Sequence, residues 1–318
     1  MKEIGGYFPL ELPHVGNMPH ADGLMVNSGR NALELVLSSL NPVTRVYIPY
    51  YTCDVVLEPL DRLSISYTFY HLTPQLTLAH EITLGEGEYI LYTNYFGIMD
   101  SYISQLEQMY GDRLIVDHAQ ALYAAPTGKC VYSPRKFVGI PDGGIAYTDS
   151  PASTALLEVD TSFDRCSHLL MRHDVGASAG YAEFRINSAK LKHQPIRQMS
   201  PLTCALLTSI DFADVKQRRI DNFLALHSRL SESNLLSIPH IDSFACPMVY
   251  PYYSDDPTLK QRLIAEKIYV ATYWPNVMEW CSPTDVEYQL ANGIIAIPID
   301  QRYGIEDMNY IVSHIQTL

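Results

Sequence analysis

The chain has little positive charge. Of its 318 residues, 22 are Lys or Arg and 35 are Asp or Glu, which gives a formal net charge of −13 at pH 7. Proteins that bind the nucleic-acid backbone depend on clustered cationic side chains. The charge balance therefore argues against a nucleic-acid partner, and an anionic small molecule would need a local cationic pocket.

Long apolar runs are also missing. No stretch approaches the roughly 18 apolar residues that a membrane-spanning helix requires, and the opening MKEIGGYFPLELPH lacks the apolar core of a secretory signal. We therefore expect a cytoplasmic protein without a membrane partner. With 47% hydrophobic and 18% charged residues, the composition is that of a globular protein, long enough for a large domain and a smaller one.

The spacings typical of metal sites do not occur. The six cysteines form no CxxC pair, and we interpret them as reduced, mostly buried thiols. His168 and His173 lie five residues apart, which misses the i, i+4 spacing of paired ligands on a helix. We predict no metal site.

Strand-like and helix-like patterns alternate through the first half of the chain. Apolar or β-branched runs predict strands at 24–26, 45–48, 63–69, 89–93, 114–116 and 145–147. Helical spacing predicts helices from residue 29 to 40, at 52–60 and at 101–110. Such alternation implies an α/β fold with a mostly parallel sheet covered by helices.

The pattern changes near residue 200. Ser200 and Pro201 form an N-cap and first-turn pair for one long helix over about 201–231. Beyond it, the periodicity predicts strands at 248–252, 268–273 and 294–299 and helices at 259–267 and 305–315. We therefore predict a large domain over 1–236, which includes the long helix, and a small α+β domain over 237–318.

The first candidate binding motif lies between the first predicted strand and helix. Gly29 would let the backbone approach a ligand, and the N-terminus of the following helix favours a phosphate. Ser28 and Gly29 also fit a plain N-cap and turn, and taken alone the pattern favours that simpler interpretation.

The second motif is Asp117-His118-Ala119-Gln120, directly after the predicted strand 114–116. A carboxylate at the carboxyl end of a parallel strand points into the crevice where ligands bind, and it could hold a protonated ring nitrogen. A helix cap with a partly exposed His118 fits the same residues equally well.

The third motif places Lys136 in a loop between Ser133-Pro134 and the pair Gly143-Gly144. A lysine that such a loop desolvates can lose its proton and form an imine with a carbonyl. A solvated surface lysine is the alternative for this motif on its own.

Together and in this order, the three motifs resemble the fold-type I pyridoxal phosphate (PLP) enzymes, most closely the DegT/DnrJ/StrS sugar aminotransferases. The resemblance covers nearly the whole chain. Its further matches are Arg197-Gln198-Met199-Ser200, Tyr273-Trp274-Pro275 and Ile297-Pro298.

The resemblance implies a large PLP-binding domain with a sheet of the seven-stranded type and a small α+β domain. It implies that Lys136 forms the imine with the cofactor and later carries a proton, and that Asp117 pairs with the pyridinium nitrogen. Gln120 would lie near the ring hydroxyl. The remaining cofactor-binding residues would be Ser28, Gly29, Arg30, Ser133 and Cys53.

The activity implied by the resemblance is amino transfer from an amino acid, with glutamate the expected donor, to a keto-sugar nucleotide. Such a reaction belongs to surface polysaccharide or amino-sugar biosynthesis. The family is dimeric with sites at the subunit interface, so we expect a homodimer. Candidate cations for the substrate diphosphate are Arg135, Lys136, Arg172 and Arg197.

Three positions depart from the family pattern. Cys53 stands where the family has an aromatic residue stacked on the cofactor ring, and Tyr50, Tyr51 or Tyr95 would have to stack instead. Val131 replaces a serine, so that Ser133 or another group would contact the phosphate. Ile196 replaces an asparagine that a neighbouring subunit lends to the site, for which Arg197 or Gln198 could substitute.

Other functions stay open at this point. The departures also suit a catalytically silent protein of the same fold with a regulatory or assembly role. Related sugar dehydratases carry histidine in place of the lysine, and Lys136 argues against them. A nicotinamide-binding enzyme ranks last, because no GxGxxG follows the first strand.

Overall fold

The large sheet contains seven strands. A computed structural model describes residues 6–16, 18–40, 42–149 and 154–316. The strands are β1 (Leu24–Val26), β2 (Arg45–Pro49), β3 (Ser66–Tyr70), β4 (Glu88–Thr93), β5 (Leu114–His118), β6 (Cys130–Tyr132) and β7 (Gly144–Tyr147). Their order is β1-β7-β6-β5-β4-β2-β3, and all pairs are parallel except those made by β7. The predicted α/β fold with a mostly parallel sheet is confirmed.

Both faces of this sheet are covered, which explains its continuous apolar runs. On β5, Leu114 and Val116 pack into one apolar cluster and Ile115 into the cluster on the other face. Because side chains alternate along a strand, Asp117 shares the face of Ile115, whereas His118 lies on the opposite face. The alternation thus separates two neighbouring polar residues.

Three helices follow strands in the first half: α1 (Gly29–Ser39), α2 (Leu57–Arg62) and α3 (Asp100–Tyr110). The helix predicted at 52–60 begins instead as a 3₁₀ turn over Asp54–Val56 and continues beyond Pro59. Pro59 does not end the helix because it lies in the first turn of α2, where its missing N–H group is not needed.

A helical hairpin, α4 (Ser167–Val175) and α5 (Ala177–Lys190), was missed by the sequence analysis. The apolar residues of α5 do not form a single face: Tyr181 and Ile186 are exposed. Without an apolar stripe, helical periodicity gives no signal.

The long helix predicted over 201–231 is instead two helices, α6 (Pro201–Thr208) and α7 (Phe212–Leu230). The break is at Asp211, whose Oδ1 accepts hydrogen bonds from the backbone N of Ala213 and Asp214, both at 3.1 Å, and so starts a new helix. The predicted cap of the first helix is confirmed, since Ser200 Oγ accepts from Thr203 N at 3.0 Å.

The C-terminal part has a second sheet of two antiparallel strands, β8 (Val249–Tyr253) and β9 (Ile294–Pro298). The strand predicted at 268–273 is wrong: that segment makes one isolated bridge, between Ala271 and Ala296. The helices here are α8 (Leu259–Ala265), α9 (Val277–Trp280), α10 (Val286–Gly293) and α11 (Ile305–Gln316). The domain boundary between residues 236 and 237 stays a prediction.

Two further expectations concern the chain as a whole. In the residues that the structure describes, none of the helices combines the length and apolar character needed to cross a membrane. The cytoplasmic location stays a prediction. All six thiols are free, but only Cys130 and Cys246 are buried, so the expectation of mostly buried thiols is wrong for the other four.

Candidate active site

A cavity of about 460 Å³ lies where the carboxyl ends of β4, β5 and β6 meet the N-terminus of α1. This is the place where ligands bind in open α/β sheets. The structure brings all eight predicted site residues to its walls. They are Ser28, Gly29, Arg30, Cys53, Asp117, Gln120, Ser133 and Lys136.

The turn before α1 forms one end of the cavity. Ser28 Oγ accepts a hydrogen bond from Asn31 N at 3.2 Å and donates one to Asn31 Oδ1 at 2.5 Å, so Ser28 is the helix cap. A Cβ atom on Gly29 would lie 3.3 Å from the Cβ of Ser133. The N-terminus of α1 and Ser133 are therefore adjacent, and both can reach the same anion.

The pair Gly143-Gly144 holds this turn from behind. Gly143 N donates to Asn27 O at 2.9 Å, and a Cβ on Gly144 would overlap the Ser28 carbonyl and lie 2.7 Å from Gly29 N. Only a residue without a side chain lets β7 approach the turn this closely. Glycine is therefore required at this pair because the backbone of β7 lies in direct contact with the turn that starts α1.

Two arginines supply positive charge beside this turn. Arg30 Nε lies 3.6 Å from Glu58 Oε2, yet its Nε and Nη1 are buried and make no hydrogen bond within the described residues. Arg135 Nη2 donates to Ser188 Oγ at 2.9 Å. Burial, together with repulsion from Arg30, lowers the pKa of Arg135 to about 10. A bound anion would relieve this repulsion and supply the missing acceptors.

Asp117 and Lys136 both line this cavity, and the charge of Lys136 acts on the Asp117 carboxylate. Asp117 is half-buried, and its Oδ1 accepts from Ala119 N at 2.8 Å. Burial raises the pKa of Asp117, while the nearby positive charge of Lys136 acts in the opposite direction. The carboxylate and the amine therefore lie on the same side of the sheet.

Lys136 ends a 3₁₀ turn over Pro134–Lys136, directly after β6. The turn is closed by a hydrogen bond from Lys136 N to Ser133 O at 3.1 Å. Lys136 is exposed, which agrees with the solvated lysine that the motif on its own favoured over a desolvated one. The turn fixes where the side chain starts and leaves the amine accessible.

Two buried polar groups at the floor of the cavity lack a partner. Gln120 Oε1 accepts from Phe96 N at 2.7 Å, which fixes the orientation of the amide, but Gln120 Nε2 makes no hydrogen bond within the described residues. The Thr93 hydroxyl is also buried and makes no hydrogen bond within the described residues. Since unpaired buried polar groups are costly, both are candidates for contact with a ligand.

Cys53 lines the cavity at the position where the family carries an aromatic ring. Burial raises the pKa of its thiol, and Lys136 acts in the opposite direction. None of the three tyrosines proposed as substitutes is among the residues that line the cavity. Tyr51 and Tyr95 are fully buried and stack on each other with ring centroids 5.4 Å apart, and Tyr50 stacks on Phe69.

Aromatic residues reach the cavity instead from the C-terminal part of the chain. Tyr273 and Trp274 both line it. Their loop is tied to the residue before Cys53, since Asn276 Nδ2 donates to Thr52 O at 2.9 Å. These two rings therefore add to Tyr132 and Phe184 as aromatic side chains that line the cavity.

Several lining residues were not among the predicted site residues: Thr93, Tyr132, Phe184, Ser188, Leu191, Tyr273 and Trp274. Thr93 had a signal, because it ends a predicted strand and pairs in register with Asp117. Phe184, Ser188 and Leu191, on or next to α5, had no sequence signal, because the helix itself was not predicted.

His118 lies on the opposite face of β5 from Asp117. Its Nδ1 lies 3.1 Å from Asn94 Nδ2, and its ring stacks on Tyr132 with centroids 4.9 Å apart. Burial, with a smaller contribution from His20, lowers the pKa of His118 to about 3, so the ring is neutral at pH 7. His118 does not line the cavity that holds Lys136 but lines a different one, and its buried Nε2 makes no hydrogen bond within the described residues.

The segment before α6 lies outside the cavity of its own chain. Ile196 packs against the apolar cluster on the α1 side of the sheet. Arg197 Nη1 donates to Gln194 Oε1 at 3.1 Å, and Gln198 Nε2 donates to Leu157 O at 2.8 Å. Their proposed contact with a neighbouring subunit stays a prediction.

Comparison with solved structures identifies the fold. No family model matches the chain, and a search of curated proteins found no match. The sugar aminotransferase CalS13 of Micromonospora echinospora is similar to it with a TM-score of 0.65 at 16% identity, over 92% of this chain and 86% of that one. The chain therefore has the fold of a sugar aminotransferase structure.

Two further solved structures have a similar fold. DesI, solved in the presence of its TDP-sugar product, has a TM-score of 0.64 at 16% identity and aligns over 92% of this chain and 79% of its own. Spr1654 of Streptococcus pneumoniae, in its PLP form, has a TM-score of 0.64 at 14% identity, over 92% and 86%. The predicted fold-type I architecture is confirmed.

Proposed function

We propose that the protein is a PLP-dependent aminotransferase. The observation that carries the proposal is the placement of Lys136 and Asp117 in one cavity with a cationic turn at the start of α1. An accessible amine, a carboxylate and an anion-binding turn are the three groups that this cofactor requires. The shared fold supports the same conclusion.

The residues present fit the cofactor. Ser28, Gly29, Arg30 and Ser133 would hold its phosphate, which would supply acceptors for the unpaired nitrogens of Arg30. The unpaired Nε2 of Gln120 would donate to the ring hydroxyl oxygen. When bound, the cofactor supplies an electron sink for breaking the Cα–H bond of an amino acid.

The chemistry of the chain itself then falls to two side chains. Asp117 would accept a hydrogen bond from a protonated ring nitrogen, and partial burial would strengthen this charge-assisted contact. The Lys136 amine would take the proton from the substrate carbon and return it to the neighbouring position. Gln120, held by the Phe96 N–H group, would contact the ring, and the turn at Ser28 would hold the phosphate.

The proposed substrates are an amino-acid donor, glutamate, and a keto-sugar nucleotide. The support is the resemblance of the sequence to the sugar aminotransferases and the TDP-sugar product of DesI, which shares the fold. The reaction would serve surface polysaccharide or amino-sugar biosynthesis.

We also propose a homodimer. Its support, besides the resemblance, is the exposed apolar surface of the α4–α5 hairpin. Leu170, Val175 and Tyr181 are 64%, 63% and 62% exposed there, and Phe184 of the same hairpin lines the cavity. Sedimentation at micromolar concentration should give the dimer mass, and a monomer would contradict sites shared between subunits.

The cofactor proposal is tested by adding PLP to the purified protein. We expect an absorption band of the lysine-bound cofactor, and borohydride reduction followed by peptide mapping should place the label on Lys136. Lys136→Ala should remove both signals. Lys192→Ala is the matched control, because Lys192 is exposed and does not line the cavity.

Amino transfer is tested by adding glutamate to the loaded protein. The lysine-bound band should convert to the amine form of the cofactor with release of one 2-oxoglutarate per site. A band that glutamate and other amino acids leave unchanged would support the catalytically silent alternative. Labelling of a residue other than Lys136 would overturn the proposed site.

A further inference from the structure

A second cavity, of about 600 Å³, adjoins the one that holds Asp117. The two share Arg135, Lys136 and Phe184 in their walls. The other walls of the second cavity come from residues 137–140, which follow Lys136, from α4, from α7 and from the loop after β9. A molecule whose reacting carbon lies at Lys136 can therefore extend from the first cavity into this adjoining cavity.

The adjoining cavity is strongly cationic although the chain is acidic. Its walls carry four arginines and two histidines: Arg135, Arg172, Arg219, Arg302, His168 and His173. The one carboxylate among its described lining residues is Asp300. Asp300 is already engaged, since Arg302 donates to its two oxygens at 2.5 and 2.7 Å. Within the described residues, Arg135, Arg172 and Arg219 make no salt bridge, whereas Arg302 is paired with Asp300.

Two of the buried lining residues have nitrogens without partners. Arg219 is 2% exposed; it donates to Met248 O and Phe137 O at 2.7 and 3.0 Å, but its Nε makes no hydrogen bond within the described residues. His168 is 8% exposed, and its Nδ1 is likewise unpaired. Buried unpaired polar groups are costly, and a ligand oxygen would satisfy them. The buried Oε1 of Gln301 is also unpaired and would accept from a hydroxyl of the same ligand.

We propose that the adjoining cavity binds the oxyanionic group of the substrate, a phosphate or a carboxylate, whose reacting carbon lies at Lys136. This inference rests on the proposed function. It assigns the substrate tail to one cavity that joins Arg135 and Arg172, two of the cations predicted for the substrate, to Arg219 and Arg302, which the sequence did not indicate. Arg172 and Arg302 would contact the anion from the exposed side, and Arg219 from the buried side.

The two cavities can be separated by mutation. Arg172 lines only the adjoining cavity of the two, and Arg30 lines only the first. Arg185, on α5, is exposed and lines neither. Arg172→Gln, Arg30→Gln and Arg185→Gln thus remove the same charge from three places, and none removes a fully buried residue.

The experiment is calorimetric titration of the protein, with saturating PLP present, with pyrophosphate and separately with glutarate. We expect Arg172→Gln to weaken the binding of one of these probes about tenfold, the size of one lost charge-assisted contact. Arg30→Gln and Arg185→Gln should leave it within about twofold. Stronger binding of pyrophosphate would identify a phosphate tail, and stronger binding of glutarate a carboxylate.

Failure has distinct signatures. If neither probe binds, or if Arg172→Gln binds them as tightly as Arg185→Gln does, the inference is overturned. Loss of binding in Arg30→Gln alone would place the anion in the first cavity and would also overturn it. Failure of the proposed function would show separately, as the absence of the lysine-bound absorption band, and the titrations would still report on the adjoining cavity.

Discussion

The two cavities that meet at Lys136 are built in different ways. The predicted anion-binding end of the first is positioned by backbone contacts: a helix N-terminus beside the ends of parallel strands, with a pair of glycines behind the turn at Ser28. The adjoining cavity receives its charge from long side chains that reach it from α4, α7 and the loop after β9. A site made of backbone needs particular residues next to each other in sequence, whereas one made of arginine side chains does not.

The difference explains how far each site could be predicted from the sequence. Gly143 and Gly144 form a pair that is recognisable in the sequence, and glycine is needed at Gly144 because β7 passes against Ser28 at backbone distance. Arg172 and Arg302, in contrast, are separated by most of the C-terminal half and share no pattern. We expect the first cavity to determine whether the reaction occurs and the adjoining cavity to determine which substrate enters.

The largest effect should follow from Asp117→Ala. Loss of the carboxylate that keeps the ring nitrogen protonated should lower the rate of amino transfer by about 10²–10³-fold. Single-turnover conversion by glutamate is the measurement. Asp112→Ala, at an exposed position after α3, should leave the rate unchanged. If Arg172→Gln lowered the single-turnover rate at saturating substrate as much, the division of roles between the cavities would be wrong.

Gly144→Ala should damage the first cavity through its backbone. A Cβ there meets the Ser28 carbonyl and Gly29 N, atoms that cannot move aside, so we expect a loss of about 2 kcal/mol in the free energy of unfolding. Urea denaturation measures it.

The control for this change lies in the adjoining cavity. A Cβ on Gly139 meets only Leu169 Cδ2 at 3.9 Å, an ordinary contact. Gly139→Ala should therefore be nearly neutral. Equal destabilisation by the two changes would contradict the distinction between a backbone-built and a side-chain-built site.

Arg30→Gln should weaken cofactor binding about tenfold, because one charge-assisted contact to the cofactor phosphate is lost. Titration of the lysine-bound absorption band with PLP gives the dissociation constant. Arg172→Gln should leave this constant unchanged. An Arg30→Gln protein that binds PLP as tightly as the wild type would remove this arginine from the phosphate site.

The smallest expected effect is a pH dependence of anion binding in the adjoining cavity. Burial and repulsion from Arg135 lower the pKa of His168, while a hydrogen bond to the backbone of Arg165 and, to a smaller extent, the charge of Glu183 act in the opposite direction. His168 is therefore neutral at pH 7 and gains its charge only below its usual pKa of about 6.5. Sulfate, which does not titrate in this range, should bind about threefold more tightly at pH 5 than at pH 7.5.

His168→Gln should remove that part of the pH dependence, and His173→Gln measures the contribution of the other histidine in the cavity. Arg135 keeps its charge over the same range, because its pKa is about 10, so it does not contribute to the pH dependence of sulfate binding. Sulfate binding that weakens on acidification would contradict the sign of the effect.

Local patterns predicted the sheet and the first cavity well. The runs at 89–93 and 114–116 became β4 and β5, and the polar residues that follow them lie at the cavity. The predictions failed where a local signal was ambiguous or absent. Asp211 caps a new helix within the segment 201–231, whose helical spacing of apolar residues predicts a single helix. The helix α5 has no apolar stripe.

Prediction of individual roles failed for a different reason. The tyrosines at 50, 51 and 95 lie near Cys53 in the chain or at strand ends, yet Tyr51 and Tyr95 pack into the core and Tyr50 stacks on Phe69. Tyr273 and Trp274, about 220 residues after Cys53, line the cavity instead. Sequence distance gives no information about such contacts, because they form only when the C-terminal part folds back over the sheet.

The sequence by itself determined the alternation of strands and helices and the helix cap at Ser28, because each depends on neighbours a few residues away. Tertiary structure alone decided that Asp117 faces Lys136 while His118 faces the core, and that four distant arginines surround one space. Strand register and the packing of α4 and α7 set those distances, and both result from burying apolar surface over the whole molecule.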